Sequence, residues 1–151
     1  MSDAVGALAS AGDVALGYAP MDAIHGEFLV LLQTLLTASD EAMAEALAQV
    51  HAHSQSHFAE EERWMDDTAF PPRACHADEH AAVLASMEGV ARRVAAGDFE
   101  AGRRLARALA EWFPGHAHHL DSALAHWLCK RQFGGKPVVL HRPQRTLAQP
   151  A

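Results

Sequence analysis

The sequence predicts an all-α protein, an antiparallel up-down four-helix bundle with an N-terminal arm and a short C-terminal tail. Three observations predict it. Half of the 151 residues are apolar, with Ala and Leu dominant, a composition typical of helical globular proteins. In four separate stretches apolar residues recur at alternating spacings of four and three, the period of a helix with one buried face. Pro and Gly gather between those stretches, where helices stop. At this length one domain with a sizeable core is expected: residues 1–131 form the bundle, of which 1–19 are the arm, and 132–151 form the tail.

The first helix is expected to begin near Pro20, because proline suits the first helical turn. Its stripe is Met21, His25, Phe28, Leu32 and Leu35. Ser39 or Asp40 can cap a second helix, whose inner face runs Met43, Leu47, Val50, Ser54, His57, Glu61 and Trp64. The segment 67–73, with Pro71 and Pro72, ends it. A third helix presents His76, His80, Val83, Met87, Val90 and Val94. Gly97 followed by Asp98 reads as a helix stop and the next N-cap, which makes the third and fourth helices antiparallel neighbours across a short link.

The fourth helix carries Leu105, Leu109, Trp112 and His116, after which its apolar positions become Leu120, Leu124 and Trp127. The stripe has slipped by one residue. One extra residue in a turn, a π-type bulge, produces such a slip. It also swings Asp121, about 140° from His116 on an ideal helix, back toward the centre. Pro114 and Gly115 disfavour regular helix as well, so a kink or a break is equally open. Irregular backbone is expected within 110–121.

Composition excludes several classes of function. No apolar run approaches the roughly 20 residues of a membrane-spanning helix, and the first twenty residues carry Asp3 and Asp13 with no basic stretch; no membrane insertion is expected. Within 1–129, seven Arg against 19 acidic residues leave −12, while Lys130, Arg131, Lys136, Arg142 and Arg145 make 130–151 +5. An acidic body argues against nucleic acid, and the sparse basic tail is read as solvated or docked on the body. Cys75 and Cys129 form no metal or redox pair by spacing; they are read as free thiols, small and buried, in a reducing cytoplasm.

Against this background the inward stripes carry groups that a plain core has no use for. They supply five imidazoles, His25, His57, His76, His80 and His116, and two carboxylates, Glu61 and, beside the slip, Asp121. An i to i+4 pair lies on one face of a helix about one turn apart, so His57/Glu61 and His76/His80 can each aim at one inner point. Seven such groups suffice for two metal ions, and their types suit transition metals of intermediate hardness. Single pairs arise by chance among eleven histidines, as His53/His57 does. Convergence from all four helices does not.

In order the residues read H…HxxxE…HxxxH…HxxxxD, with HFAEE at 57–61, HADEH at 76–80 and HAHHLD at 116–121. This pattern closely resembles the hemerythrins, in particular the bacterial single-domain type. The resemblance covers roughly 15–130, including MDAIH before the first position and EWFPGH before His116. It implies reversible dioxygen binding, for storage, delivery or sensing, at two iron ions joined by an oxo or hydroxo bridge. By the same resemblance His76, His80 and His116 hold one iron, His25 and His57 the other, and Glu61 and Asp121 bridge them. The iron with two histidines then keeps an open position for dioxygen. Phe28, Phe58, Trp112 and Phe113 are the expected walls of a dry oxygen pocket, although Phe113 and Ala117 stand where smaller and larger aliphatics are usual in the family.

Other readings share parts of this pattern. HADEH also satisfies the inverted zinc-peptidase signature HxxEH, with Glu79 as general base, but that leaves five of the seven residues idle. A diiron enzyme consuming peroxide or nitric oxide keeps the whole centre, yet needs a proton-delivering side chain that the four aromatics do not offer; a binding protein rather than an enzyme is expected. A redox or oxygen sensor would need a protein partner, for which 132–151 could serve as a docking segment.

Overall fold

A computed structural model of the chain describes residues 8–133. Four antiparallel helical rods follow one another through links of three to five residues. They are α1 (Ala19–Leu36), α2 (Asp40–Asp67), α3 (Arg73–Ala95) and a composite rod. The last consists of α4 (Phe99–His116), a π-helical turn (Ala117–Asp121) and α5 (Ser122–Phe133). α1 packs on α2, α2 on α3, α3 on α4 and α4 back on α1, so the bundle is closed and up-down. The expected tail beyond residue 133 lies outside the described residues. Among the described residues no helix is long and apolar enough to cross a membrane.

The helix ends follow local chemistry. Pro20 sits in the first turn of α1, where Asp22 accepts hydrogen bonds from the Leu16 and Gly17 amides at 2.8 and 3.1 Å. This carboxylate fastens the arm onto the helix and also faces its positive end. Ser39 caps α2 by accepting from the Ala42 amide, and Asp98 caps α4 by accepting from the Ala101 amide. α3 closes through Gly97, at φ 95°: its amide reaches Val94 O and the Asp98 amide reaches Arg93 O, the paired closure that favours glycine. α2 closes in the same way, but the left-handed position is held by Ala69, at φ 52°. The Ala69 amide reaches Asp66 O and the Phe70 amide reaches Met65 O. Buried contact between Phe70 and Met65, both in one apolar cluster, offsets the strain that a Cβ brings to this conformation.

The stripes of α1 and α2 are buried as the periodicity predicts, from Met21 to Leu35 and from Met43 to Glu61. Trp64 is half-buried and Met65 takes the core position instead; the Trp64 ring packs edge-on against Tyr18. On α3 only His76, His80, Met87 and Val94 are buried, and Val83 and Val90 sit at the margin. Cys129 is buried, but Cys75 is exposed, contrary to the sequence expectation: one residue before inward His76, it is turned about 100° away from the core.

The apolar core is divided. One cluster, around Phe28, Leu32, Leu47, Met87, Leu109 and Phe113, fills one end; a smaller one, around Met21, Met65, Phe70, Leu124 and Leu128, fills the other. Along each rod the histidines and carboxylates fall at the junction between these ends. α1 has His25 between Met21 and Phe28, and the composite rod has His116 and Asp121 between Phe113 and Leu124. Where α4 approaches α2, a Cβ on Gly102 would meet Met43 Sδ at 2.7 Å, so a larger residue there would displace the Met43 side chain. The expected irregularity in 110–121 is the π turn, in which the Ser122 amide reaches back five residues to Ala117 O.

The two matching closures give substitutions of opposite sign. Gly97→Ala should lower unfolding stability by about 1 kcal/mol, and Ala69→Gly should raise it by up to about 1 kcal/mol, less the extra chain entropy of glycine. Urea unfolding of both variants checks the pair; a sign opposite to the expected one in either variant would show that its backbone is not held as described.

Candidate metal centre

All seven residues singled out by spacing meet at the junction of the two apolar clusters. Glu61 and Asp121 are fully buried, at 0% exposure, and the five histidines are buried around them. α1 contributes His25, α2 His57 and Glu61, α3 His76 and His80, α4 His116 and the π turn Asp121. The extra residue of that turn lets His116 and Asp121 face the same interior, with His116 Nε2 3.1 Å from Asp121 Oδ1.

The carboxylate oxygens divide the imidazoles into two sets. Glu61 Oε2 lies 2.6 Å from His57 Nε2 and 3.4 Å from His25 Nε2, and Asp121 Oδ2 lies 3.1 Å from His25 Nε2. The other two oxygens face the opposite set. Glu61 Oε1 is 3.3 Å from His80 Nε2 and 3.5 Å from His76 Nε2, while Asp121 Oδ1 is 2.9 Å from His76 Nε2. Two groups of ligating atoms therefore form, Glu61/His76/His80/His116/Asp121 and His25/His57/Glu61, each compact enough to hold a metal ion.

Many of these atoms have no hydrogen-bond partner. Nε2 of His76, His80 and His116, Glu61 Oε1 and both oxygens of Asp121 are buried and unpaired despite their proximity. Such atoms cost free energy when buried alone. Nitrogen and oxygen lone pairs converging on common points are what cations satisfy, and two carboxylates with neutral imidazoles leave a buried charge of −2. The donor set thus fits two divalent transition-metal ions.

Electrostatics in the metal-free protein agree. Burial alone pushes the two carboxyls up and the imidazoles of His25, His76 and His116 down, but their mutual proximity reverses both. The imidazoles hold Glu61 well below the usual carboxylate range, and hold Asp121 down against both its burial and its neighbour Glu61. Against burial, Asp121 and Glu61 raise His25 and His76 to about 9. Protons on imidazole take the place of cations.

Aromatic rings wall both sets. Phe113 meets His25 edge-on at 5.1 Å and Phe28 at 4.8 Å, and Phe28 also flanks His57. Phe58 stacks on His80 at 4.0 Å, and the Trp112 ring lies 4.5 Å from His116. Of the four pocket candidates, then, Phe28 and Phe113 line the two-histidine set, and Phe58 spans both. Trp112, half-buried, lies on the three-histidine side.

Two other polar residues acquire roles from the packing. Glu79 Oε1 accepts from Trp112 Nε1 at 2.7 Å and from His116 Nδ1 at 2.9 Å, so it is not placed as the general base of a peptidase. Its carboxyl is held below the usual range: burial raises it, but the hydrogen bonds with His116 and Trp112 outweigh that. Spacing puts Glu79 only beside two histidines; its partners lie on another helix. His53 turns away from the centre to Ile24 O, and with Glu27, Glu60 and His57 it lines a surface cleft of about 270 Å³.

Residues 16–128 match the family described as the Hemerythrin HHE cation binding domain. The chain is also 44% identical over 116 residues to the bacteriohemerythrin of Ralstonia nicotianae, a match covering 77% of this chain and 85% of that protein. Because cations satisfy the unpaired atoms of the folded chain alone, saturating Fe(II) under anaerobic conditions should raise the melting temperature. The gain should be about 4 kcal/mol at a thousandfold excess over the dissociation constant, and chelation should reverse it. Calorimetry with and without chelator measures this; an unchanged transition would show that the centre takes no metal.

Proposed function

This chain belongs to the hemerythrin family, and from that premise we propose that it binds dioxygen reversibly at a centre of two iron ions. The observation that carries the reading is the division of the carboxylate oxygens. Glu61 and Asp121 each turn one oxygen toward His25, which His57 flanks, and one toward the set that includes His76. A carboxylate so placed can bridge two cations.

In this reading His76, His80 and His116 hold one iron and His25 and His57 the other. Glu61 and Asp121 would be shared between the two. With three histidines on one side and two on the other, the His25/His57 side would offer one protein ligand fewer and so leave room for dioxygen. When bound, the ferrous pair supplies the two electrons by which dioxygen is taken up and later returned.

The residues around the centre favour binding over turnover. Neutral imidazoles outnumber carboxylates, so less negative charge is available to stabilise highly oxidised iron than in carboxylate-rich diiron sites. Phe28 and Phe113, both buried, cover the His25/His57 side with apolar edges, and neither ring carries a proton to deliver. The free thiols of Cys75 and Cys129 are in keeping with a reducing cytoplasm.

Fe(II)-loaded protein exposed to oxygen should develop a visible charge-transfer band that disappears under inert gas, through repeated cycles. Irreversible oxidation, with continuing consumption of a reductant, would make the protein an enzyme instead. Glu61→Ala and Asp121→Ala should each lose the paired irons, leaving at most one per chain by metal analysis. Full loading of a variant with two magnetically coupled irons would remove that residue from the bridge.

A further inference from the structure

We propose that Glu79 is a positioning residue of the metal centre. It fixes His116 and Trp112 through one carboxylate oxygen, and so makes the three-histidine half hold its iron more tightly than the two-histidine half. The proposal rests on the diiron reading above and adds to the three-to-two count of histidines a further support for one half, supplied by a residue that is not itself a ligand.

The geometry is specific. Glu79 leaves α3 one residue before His80 and crosses to the composite rod, where the same Oε1 accepts from His116 Nδ1 at 2.9 Å and from Trp112 Nε1 at 2.7 Å. The two rings it joins lie 4.5 Å apart at 33°, so carboxylate, indole and imidazole lock one another. With His116 Nε2 turned toward Asp121, the proton resides on Nδ1 and the hydrogen bond to Glu79 fixes that tautomer. An imidazole N–H bonded to a carboxylate is also more basic at its other nitrogen, and loss of such a partner typically weakens metal binding 10- to 100-fold.

The opposite half has no counterpart. Nδ1 of His25 and of His57 is buried without a hydrogen-bond partner, as is Nδ1 of His76. On the three-histidine half Nδ1 of His80 is likewise without a hydrogen-bond partner, Glu62 Oε2 lying 3.5 Å away. Of the five histidines only His116 has a carboxylate hydrogen-bonded to its Nδ1, on the side of the centre opposite the one proposed to receive dioxygen. The side chain of Glu79 keeps 37% of its surface in water, so it acts on His116 without adding another fully buried charge. The glutamate of the HADEH segment therefore works as a tether between α3 and α4.

The test uses the full chain loaded anaerobically with Fe(II), in wild type, Glu79→Ala and Glu79→Gln. Iron release to an excess of ferrous chelator is followed together with the midpoint potential and the helical content of each metal-free variant. In Glu79→Ala one of the two irons should leave about 10- to 100-fold faster while the other keeps its rate. Glu79→Gln, which retains an acceptor oxygen but not the charge, should fall between. The potential should rise in both variants, because a less basic His116 stabilises the ferric state less, whereas a purely structural contact would leave it unmoved in Glu79→Gln. Unchanged release of both irons, or equal acceleration of both with loss of helix, would overturn the role of Glu79. A wild-type chain that takes up no iron would instead overturn the diiron reading on which it rests.

Discussion

Two carboxylates removed from water, Glu61 and Asp121, set the terms for the rest of this bundle. A buried carboxylate without compensation costs several kcal/mol, and these two face each other across a dry interior. The chain answers with five imidazoles drawn from every rod, close enough to keep both carboxylates ionised even in the metal-free protein. That arrangement occupies a whole layer that would otherwise carry leucine and valine. Cohesion therefore falls to the apolar clusters on either side, which clamp the polar layer between them.

The π turn follows from the same requirement. On a regular helix His116 and Asp121 point in different directions, and only one could reach the centre. Inserting a residue brings both inward at the expense of regular hydrogen bonding between Ala117 and Asp121. Pro114, which lacks an amide hydrogen, sits inside α4 three residues before this turn. Ala117, fully buried, keeps the turn narrow beside Phe113, so irregular backbone and an apolar wall share the same few residues. Closure through Ala69 similarly accepts local strain so that Phe70 can seal the far cluster against Met65.

Much of this was legible in one dimension. The alternation of four and three identified the four rods, Pro20, Ser39 and the Gly97–Asp98 pair marked their ends, and the one-residue slip after His116 pointed to the irregular turn. All seven converging residues stood out because each lay on or beside an inward stripe. Misreadings occurred where the decision belongs to the neighbour across the gap. Val83 and Val90 have the right period, yet the bundle does not cover them fully; Trp64 yields the core to Met65; and Cys75 faces water because the stripe of α3 is narrow.

By itself, the sequence determined the helices, their order, and the seven groups that had to be compensated, because helical periodicity and the chemistry of side chains are local properties. Only the tertiary structure decided which oxygen of Glu61 and Asp121 faces which histidines, which aromatic covers which half, and that Glu79 ties His116 to Trp112. Those outcomes depend on the distance and rotation between helices far apart in the chain. They are fixed by packing, and no spacing along one helix encodes them.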